Sequence, residues 1–119
     1  MTGEVDDTGT PVIRLSIAGR ECLATIDTGF NGDLELPAEL KDHFTVEYAG
    51  ESSSTLAGGV VIEEDLYEVS FPFDNEIVVA RVTFAPVQGI LVGTGLLHNY
   101  RLEINFVTRT VVLEKVVVT

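Results

Sequence analysis

Short runs in which apolar and polar residues alternate, separated by Gly, Asn, Asp and Pro, cover most of the chain. Alternation with a period of two places every second side chain on one face of a strand, so each run predicts a half-buried β-strand. In residues 12–18, for example, Ile13, Leu15 and Ile17 share a face. Helical spacing of apolar residues is nearly absent. The pattern therefore predicts an all-β domain.

Turn-forming residues divide the first half of the chain into strands. A turn at Gly19-Arg20 joins residues 12–18 to residues 22–27, and Asn31-Gly32 is a second turn signal. The further predicted elements are a strand at residues 34–36, a short helix at 38–44 after Pro37, and two longer strands at 45–56 and 60–71. The flexible Ala57-Gly58-Gly59 between the longer strands predicts a hairpin tip.

The second half continues the same pattern. It predicts a strand at residues 76–84, a buried segment at 90–92, a short helix from an N-cap at Thr94 to His98, and a closing hairpin of residues 101–106 and 110–118. Residues 1–10 are acidic and polar, so we expect a flexible tail followed by one domain over residues 11–119. A chain of 119 residues buries one core and has no room for two equal lobes.

Charge and cysteine content exclude several classes of function. Asp and Glu number 19 against 7 Lys and Arg, a formal charge of −12 that repels nucleic acids and anionic membrane surfaces. No apolar run approaches the roughly 20 residues of a membrane span, and residues 1–10 lack the pattern of a signal peptide. Cys22 is the single cysteine and is interpreted as a small buried hydrophobe rather than a nucleophile. We therefore expect a cytoplasmic protein.

The most informative stretch is residues 24–37, ATIDTGFNGDLELP. An apolar strand here delivers Asp27 directly into a tight turn at Thr28-Gly29. A carboxylate at the edge of a core is costly unless it is hydrogen-bonded or neutralised, so Asp27 is the candidate functional residue. The alternative is a purely structural role for Asp27, in an Asx turn that ends the strand.

This stretch resembles the active-site loop of the retropepsin-like aspartic proteases, especially their small bacterial members, in which Asp-Thr-Gly follows an apolar strand. Further motifs follow in the family's order, and the resemblance covers roughly residues 12–113. They are Ala57-Gly58-Gly59 in the place of the flap, Ile90-Leu91-Val92-Gly93 before Thr94-Gly95-Leu96-Leu97, and Leu102-Glu103-Ile104-Asn105-Phe106. Phe30 is a departure, since many members have a small residue there.

The resemblance implies a retropepsin-like closed β-barrel, the acid protease fold, with one or two short helices and one lobe per chain. It also implies that Asp27 is catalytic, that Thr28 braces the loop across a dimer axis, and that Gly29 permits the turn and offers its N–H to the carboxylate. Peptide hydrolysis by this route needs two carboxylates around one water, and one lobe supplies one, so a homodimer acting on an extended peptide is expected. The flap would be formed by Ala57, Gly58 and Gly59. No cofactor or metal is expected.

Other motifs are weaker. Asp7-Thr8-Gly9 repeats the triplet without an apolar strand before it and is interpreted as accidental. His43 and His98 are isolated, and Glu63-Glu64-Asp65 is interpreted as a solvated strand end rather than a calcium loop. Ala57-Gly58-Gly59 is equally compatible with an ordinary hairpin loop. Two alternative functions stay open: a non-catalytic dimerisation or peptide-binding module with the same fold, and a monomeric β-barrel that binds a small ligand.

Overall fold

The computed structural model describes residues 1–117, with Ser54 described in its backbone only, and contains ten strands in one sheet. The strands are β1 (Thr2–Val5), β2 (Pro11–Ile17), β3 (Arg20–Ile26), β4 (Leu34–Pro37), β5 (Glu47–Thr55), β6 (Val61–Phe73), β7 (Glu76–Ala85), β8 (Leu91–Val92), β9 (Tyr100–Asn105) and β10 (Thr110–Lys115). A 3-10 helix covers Ala38–His43, and the α-helix α1 covers Thr94–Leu97. The all-β prediction with short helices is confirmed.

The strands follow the order β5-β6-β7-β4-β8-β3-β2-β1-β10-β9 in the sheet. Most neighbours are antiparallel, but β3 pairs with β8 and β4 pairs with β7 in parallel. No ladder joins β5 to β9 within residues 1–117, so hydrogen bonds do not close the sheet. The curled sheet instead brings β2 against β6.

The core lies between these facing parts of the sheet and is built from the apolar face of each strand. Ile13, Leu15 and Ile17 are all buried, as the alternation in β2 predicts. Val82 of β7 and Val92 of β8 are completely buried in the same cluster. Cys22 is half-buried and packs against this core, which agrees with its interpretation as a small hydrophobe.

Two tight turns show how local backbone preferences set the register. Asp74 and Asn75 both have positive φ and link β6 to β7 as a two-residue hairpin turn. The predicted turn at Gly19-Arg20 is wrong by one residue, because Ile17 pairs with Arg20 and the turn residues are Ala18 and Gly19, both with positive φ. Gly19 tolerates this left-handed backbone without steric penalty.

The first residues of the chain are part of the sheet, so the predicted flexible tail over residues 1–10 is wrong for β1. Gly3 pairs with Ile13 of β2 on one side and with Val111 of β10 on the other. Val5 is buried in the core. The acidic composition hides this strand because β1 has one buried apolar side chain to mark it.

The end of the chain also differs from expectation. The sequence predicts a final strand over residues 110–118; β10 ends at Lys115, and Val118 lies outside the described residues. Strands β1 and β9 occupy both edges of β10, so β10 offers no free edge for pairing with a second copy.

Both predicted helices are present but shorter or tighter than expected. The segment after Pro37 is a 3-10 helix rather than an α-helix. In α1 the N-cap is Gly93, without a side-chain cap, and Thr94 is the first helical residue. The prediction of Thr94 as N-cap is therefore wrong, because its hydroxyl is directed to the carbonyl oxygen of Phe30.

Candidate active site

Asp27 stands at the end of β3, where the chain leaves the core. Its backbone N–H donates to the carbonyl oxygen of Val92 (2.9 Å), which extends the parallel pairing of β3 with β8. Strand β8 also pairs with β4, in the antiparallel sense, and so lies between the two strands that the Asp27 loop connects. Residues 27–33 are therefore held at both ends by one central strand.

The Asp27 carboxylate has one internal hydrogen bond. The Gly29 N–H donates to Oδ1 (2.9 Å), and the Phe30 N–H donates to the Asp27 carbonyl oxygen (3.1 Å). Asp27 is half-buried, and its Oδ2 accepts no hydrogen bond from residues 1–117. Thr28 and Gly29 are exposed, and within the same residues the Thr28 hydroxyl has no partner. One carboxylate oxygen and one hydroxyl are thus free to meet a water or a second molecule.

Three backbone hydrogen bonds fasten the loop to the segment that follows β8. Gly93 N–H donates to the Asp33 carbonyl oxygen (3.0 Å), Thr94 N–H to that of Phe30 (2.8 Å), and Gly95 N–H to that of Gly32 (3.1 Å). They use the N-terminal N–H groups of α1, which have no partner inside the helix. The point where the Ile90-Leu91-Val92-Gly93 motif meets α1 therefore has a structural role, since it immobilises the loop that carries Asp27.

Phe30 is accommodated by two glycines. A Cβ on Gly32 would lie 2.6 Å from Cζ of the Phe30 ring, and a Cβ on Gly93 would lie 2.7 Å from its Cδ2. The Phe30 ring therefore packs against the backbone of Gly32 and Gly93, where a side chain on either glycine would collide with it. This explains how the departure from a small residue at position 30 fits the loop.

A cavity of about 590 Å³ lies between the Asp27 loop and the β5–β6 hairpin. Its wall includes Gly29, Phe30 and Glu35 from the loop and β4, Leu56 and Glu64 from the hairpin, and Thr83 from β7. The volume falls within the range of small-ligand sites, and a peptide side chain fits it. The hairpin therefore roofs a space whose wall begins two residues after Asp27, at Gly29.

The tip of the hairpin has the geometry that its glycines allow. Leu56 N–H donates to the Val60 carbonyl oxygen (2.7 Å), and Gly58 and Gly59 have φ of +92° and +81°. Ala57, Gly58 and Gly59 are exposed and do not line the cavity, whereas the neighbouring Leu56 does. The structure thus places the three predicted flap residues at the tip, beyond the cavity wall.

Three carboxylates that the sequence did not mark as functional lie at the cavity: Asp33, Glu35 and Glu64. Burial is the main cause that raises the pKa of Glu35, and the charges of Glu64 and Asp27 raise it further. The interpretation of Glu64 as part of a solvated strand end is wrong, because it is half-buried and faces the cavity. A signal for Glu35 was present, since it interrupts the apolar run between Leu34 and Leu36, both buried.

The remaining candidates lie elsewhere. Asp7 is almost fully exposed in the β1–β2 turn and pairs with Arg109 (2.9 Å), which agrees with its interpretation as accidental. His43 and His98 are exposed. Among residues 1–117, no group of three or more His, Cys, Asp or Glu side chains is placed to hold a metal ion, and no helix is long and apolar enough to cross a membrane.

Comparison with solved structures finds proteins of similar architecture. A retropepsin-like aspartic protease from Rickettsia conorii superposes with a TM-score of 0.65 at 16% identity, covering 95% of this chain and 88% of that one. The protease of simian foamy virus (mac) gives 0.54 at 20% identity, covering 73% and 91%. The foamy viral protease-reverse transcriptase, solved with an RNA/DNA hybrid, gives 0.58 at 19% identity, covering 79% of this chain and 13% of that one.

Sequence comparisons add nothing to this: no protein-family model matches the chain, and no curated protein matches it significantly. The likeness lies in the backbone, at identities that establish a fold and not an activity. It extends over nearly the whole chain in the Rickettsia protein. The chain has the retropepsin-like fold.

Proposed function

We propose that the chain is an aspartic endopeptidase whose catalytic group is Asp27. The observation that carries the proposal is the position of this carboxylate: half-buried, on a loop that β8 and α1 fasten and whose next residues, Gly29 and Phe30, line a cavity roofed by a glycine-tipped hairpin. A rigid loop holds a reacting group in place, and a mobile roof excludes water while substrate is bound.

The proposed reaction requires two carboxylates around one water. One, ionised, takes a proton from the water as its oxygen attacks the scissile carbonyl carbon; the other, protonated, donates its hydrogen bond to the carbonyl oxygen. Collapse of the tetrahedral intermediate breaks the C–N bond, and the leaving amine takes the proton that the first carboxylate removed from the water. No covalent enzyme intermediate forms.

The second carboxylate is proposed to be Asp27 of another copy in a two-fold symmetric homodimer. Such a dimer places the two loops face to face, with Thr28 available to bond across the axis because its hydroxyl has no partner within residues 1–117. Two like charges so close cannot both ionise, so the pair shares one proton and titrates as a unit.

The substrate is proposed to be an extended peptide lying between the Asp27 loop and the hairpin. Strand-like peptides bind through backbone hydrogen bonds, while pockets for alternate side chains set the preference. Gly58 and Gly59 give the tip the freedom to move over the peptide, and Ala57 completes the proposed flap.

The test compares the wild type with Asp27→Asn and Asp7→Asn on a mixture of unfolded peptides from mildly acidic to neutral pH, with cut sites identified by mass spectrometry. In Asp27→Asn the amide oxygen of the new side chain still accepts the Gly29 N–H, so the variant keeps the loop. Cuts made by the wild type and by Asp7→Asn but absent with Asp27→Asn support the proposal. A folded dimer without any cleavage would favour the alternative, a non-catalytic peptide-binding module.

A further inference from the structure

The cavity between the Asp27 loop and the hairpin has more negative than positive charge at its wall. Asp33, Glu35 and Glu64 line it, and Arg81 is its one cationic side chain among the described residues. Asp33 is already engaged, because its Oδ2 accepts the Arg81 backbone N–H (2.9 Å). Glu35 and Glu64 have no hydrogen-bond or ion-pair partner within residues 1–117.

A second polar group at the same wall is also without a partner among the described residues. Thr83 stands beside Glu35 in the parallel register of β4 with β7, so both side chains face the cavity. Thr83 is only 7% exposed, and its Oγ1 is a buried side-chain oxygen without a hydrogen-bond partner in the described part of the chain. Buried polar atoms are nearly always paired in native proteins, so the wall beside Glu35 holds a polar group whose partner the described residues do not supply.

We propose that this cavity is a specificity pocket that binds a cationic side chain, lysine or arginine, of the peptide substrate, with Glu35 and Glu64 as its anionic partners and Thr83 beside Glu35 on the same wall. The inference rests on the proposed function, because the ligand is taken to be a peptide. A metal ion fits less well, since these carboxylates do not converge as a group of metal ligands in the described residues.

The chemistry explains the selectivity. An ammonium or guanidinium group donates several charge-assisted hydrogen bonds and relieves the repulsion between Glu35 and Glu64. An acidic substrate side chain meets two carboxylates and is rejected, and an apolar one leaves both carboxylates unpaired. A hydrogen bond to a charged group contributes about 1.5–3 kcal/mol, so lysine should be preferred over norleucine by about tenfold or more.

The test uses octapeptides of Ala, Val and Phe that carry one lysine, norleucine or glutamate, with that residue moved along the peptide. Cleavage is measured with the otherwise wild-type protein, and binding by fluorescence anisotropy in an Asp27→Asn background. Each is repeated with Glu35→Gln, Glu64→Gln and Arg81→Gln. The matched control is Glu51→Gln, which removes the same charge from the same hairpin at an exposed position outside the cavity wall.

We expect the wild type to favour lysine at one position of the peptide. This preference should fall about tenfold in Glu35→Gln and should also fall in Glu64→Gln. It should rise in Arg81→Gln and stay unchanged in Glu51→Gln. Cleavage without a lysine preference, or a preference unchanged by Glu35→Gln and Arg81→Gln, overturns the pocket and leaves the protease intact. A lysine preference in binding without any cleavage supports the pocket and overturns the protease. Absent or equal binding of the three peptides overturns the pocket.

Discussion

Gly93 lies directly against the backbone of Phe30. A Cβ added to Gly93 would lie 2.6 Å from the Phe30 carbonyl oxygen and would also collide with that of Gly32. Both oxygens belong to the loop that carries Asp27, and they accept hydrogen bonds from Thr94 and Gly95. The contact therefore joins the Ile90-Leu91-Val92-Gly93 motif to the candidate catalytic loop, although about sixty residues separate them in the chain.

Gly93→Ala should destabilise the protein by at least about 2 kcal/mol, because the colliding atoms are backbone and cannot move aside without breaking the loop's hydrogen bonds. Denaturant unfolding measures this. Gly89→Ala is the matched control, since a Cβ there meets nothing within 4 Å. Equal midpoints for the two variants would show that the loop is not packed as described.

The same contact shows what the sequence can predict. Asp27, its turn and the order of the later motifs follow from local patterns, because each depends on a few adjacent residues. The register error at Ala18 and the hidden strand β1 have a different cause. Ala18 adopts positive φ because the pairing of β2 with β3 requires it, and β1 is held by neighbours that lie far away in the chain.

The cavity shows more clearly what local sequence patterns cannot predict. Glu35 and Glu64 belong to strands that are not neighbours in the sheet, and Thr83 reaches Glu35 only through the parallel pairing of β4 with β7. No local pattern links these three residues, so the interpretation of Glu64 as a solvated charge was reasonable in sequence and wrong in structure. Composition predicts a surplus of acid but not where the fold concentrates it.

Glu35→Gln should stabilise the fold at neutral pH. The pKa of Glu35 is raised above its ordinary 4.5, mainly by burial, so the ionised form is disfavoured in the folded state. Above the raised pKa the wild type carries this destabilisation; below 4.5 the carboxyl is neutral in both states and the effect vanishes.

The difference in melting temperature between Glu35→Gln and the wild type should therefore grow as pH rises from below 4.5 through the raised pKa. Thermal unfolding monitored by circular dichroism over this range measures it, with Glu51→Gln as the control for removing one charge. A Glu35→Gln protein that is less stable than the wild type at neutral pH would contradict the buried, unpaired state of this carboxyl.

Tyr100 should be the last tyrosine to ionise. Burial and the hydrogen bond that its hydroxyl donates to Oδ2 of Asp74 (3.0 Å) raise the pKa of Tyr100 to about 12. The protonated form is favoured in the folded state, so stability is lost as pH rises from 10 towards 12. Titration of tyrosinate absorbance measures this, and Tyr100→Phe should remove the final step. A final step that survives in Tyr100→Phe would contradict the raised pKa of Tyr100.

Substitution at the hairpin tip should reduce the rate of peptide cleavage while the protein remains folded. Gly58→Ala and Gly59→Ala force a side chain into positive φ, but each Cβ meets nothing within 4 Å, so the strain stays local, about 1–2 kcal/mol. If the tip closes over substrate, kcat/KM on a cleaved peptide should fall severalfold, while the free energy of unfolding falls by no more than the strain, about 1–2 kcal/mol. Gly9→Ala is the control, because Gly9 also has positive φ with nothing within 4 Å of an added Cβ and does not line the cavity. Unchanged kinetics in both glycine variants would favour an ordinary hairpin loop.

Salt should strengthen the proposed dimer. Two copies would carry a formal charge of −24, twice −12, so association works against a repulsion that extends over the screening length. That length is about 30 Å at 0.01 M salt and about 8 Å at 0.15 M, and at the higher concentration little repulsion beyond the interface remains. Sedimentation equilibrium in increasing sodium chloride should show a falling dissociation constant. Activity at fixed protein concentration should rise in parallel if, as proposed, each active site combines Asp27 from both copies. Sodium chloride is preferred to sulfate, which strengthens apolar burial by itself. A monomer at high protein concentration in every salt would contradict the proposed two-fold assembly, whereas a dimer that salt dissociates would contradict the argument from charge repulsion.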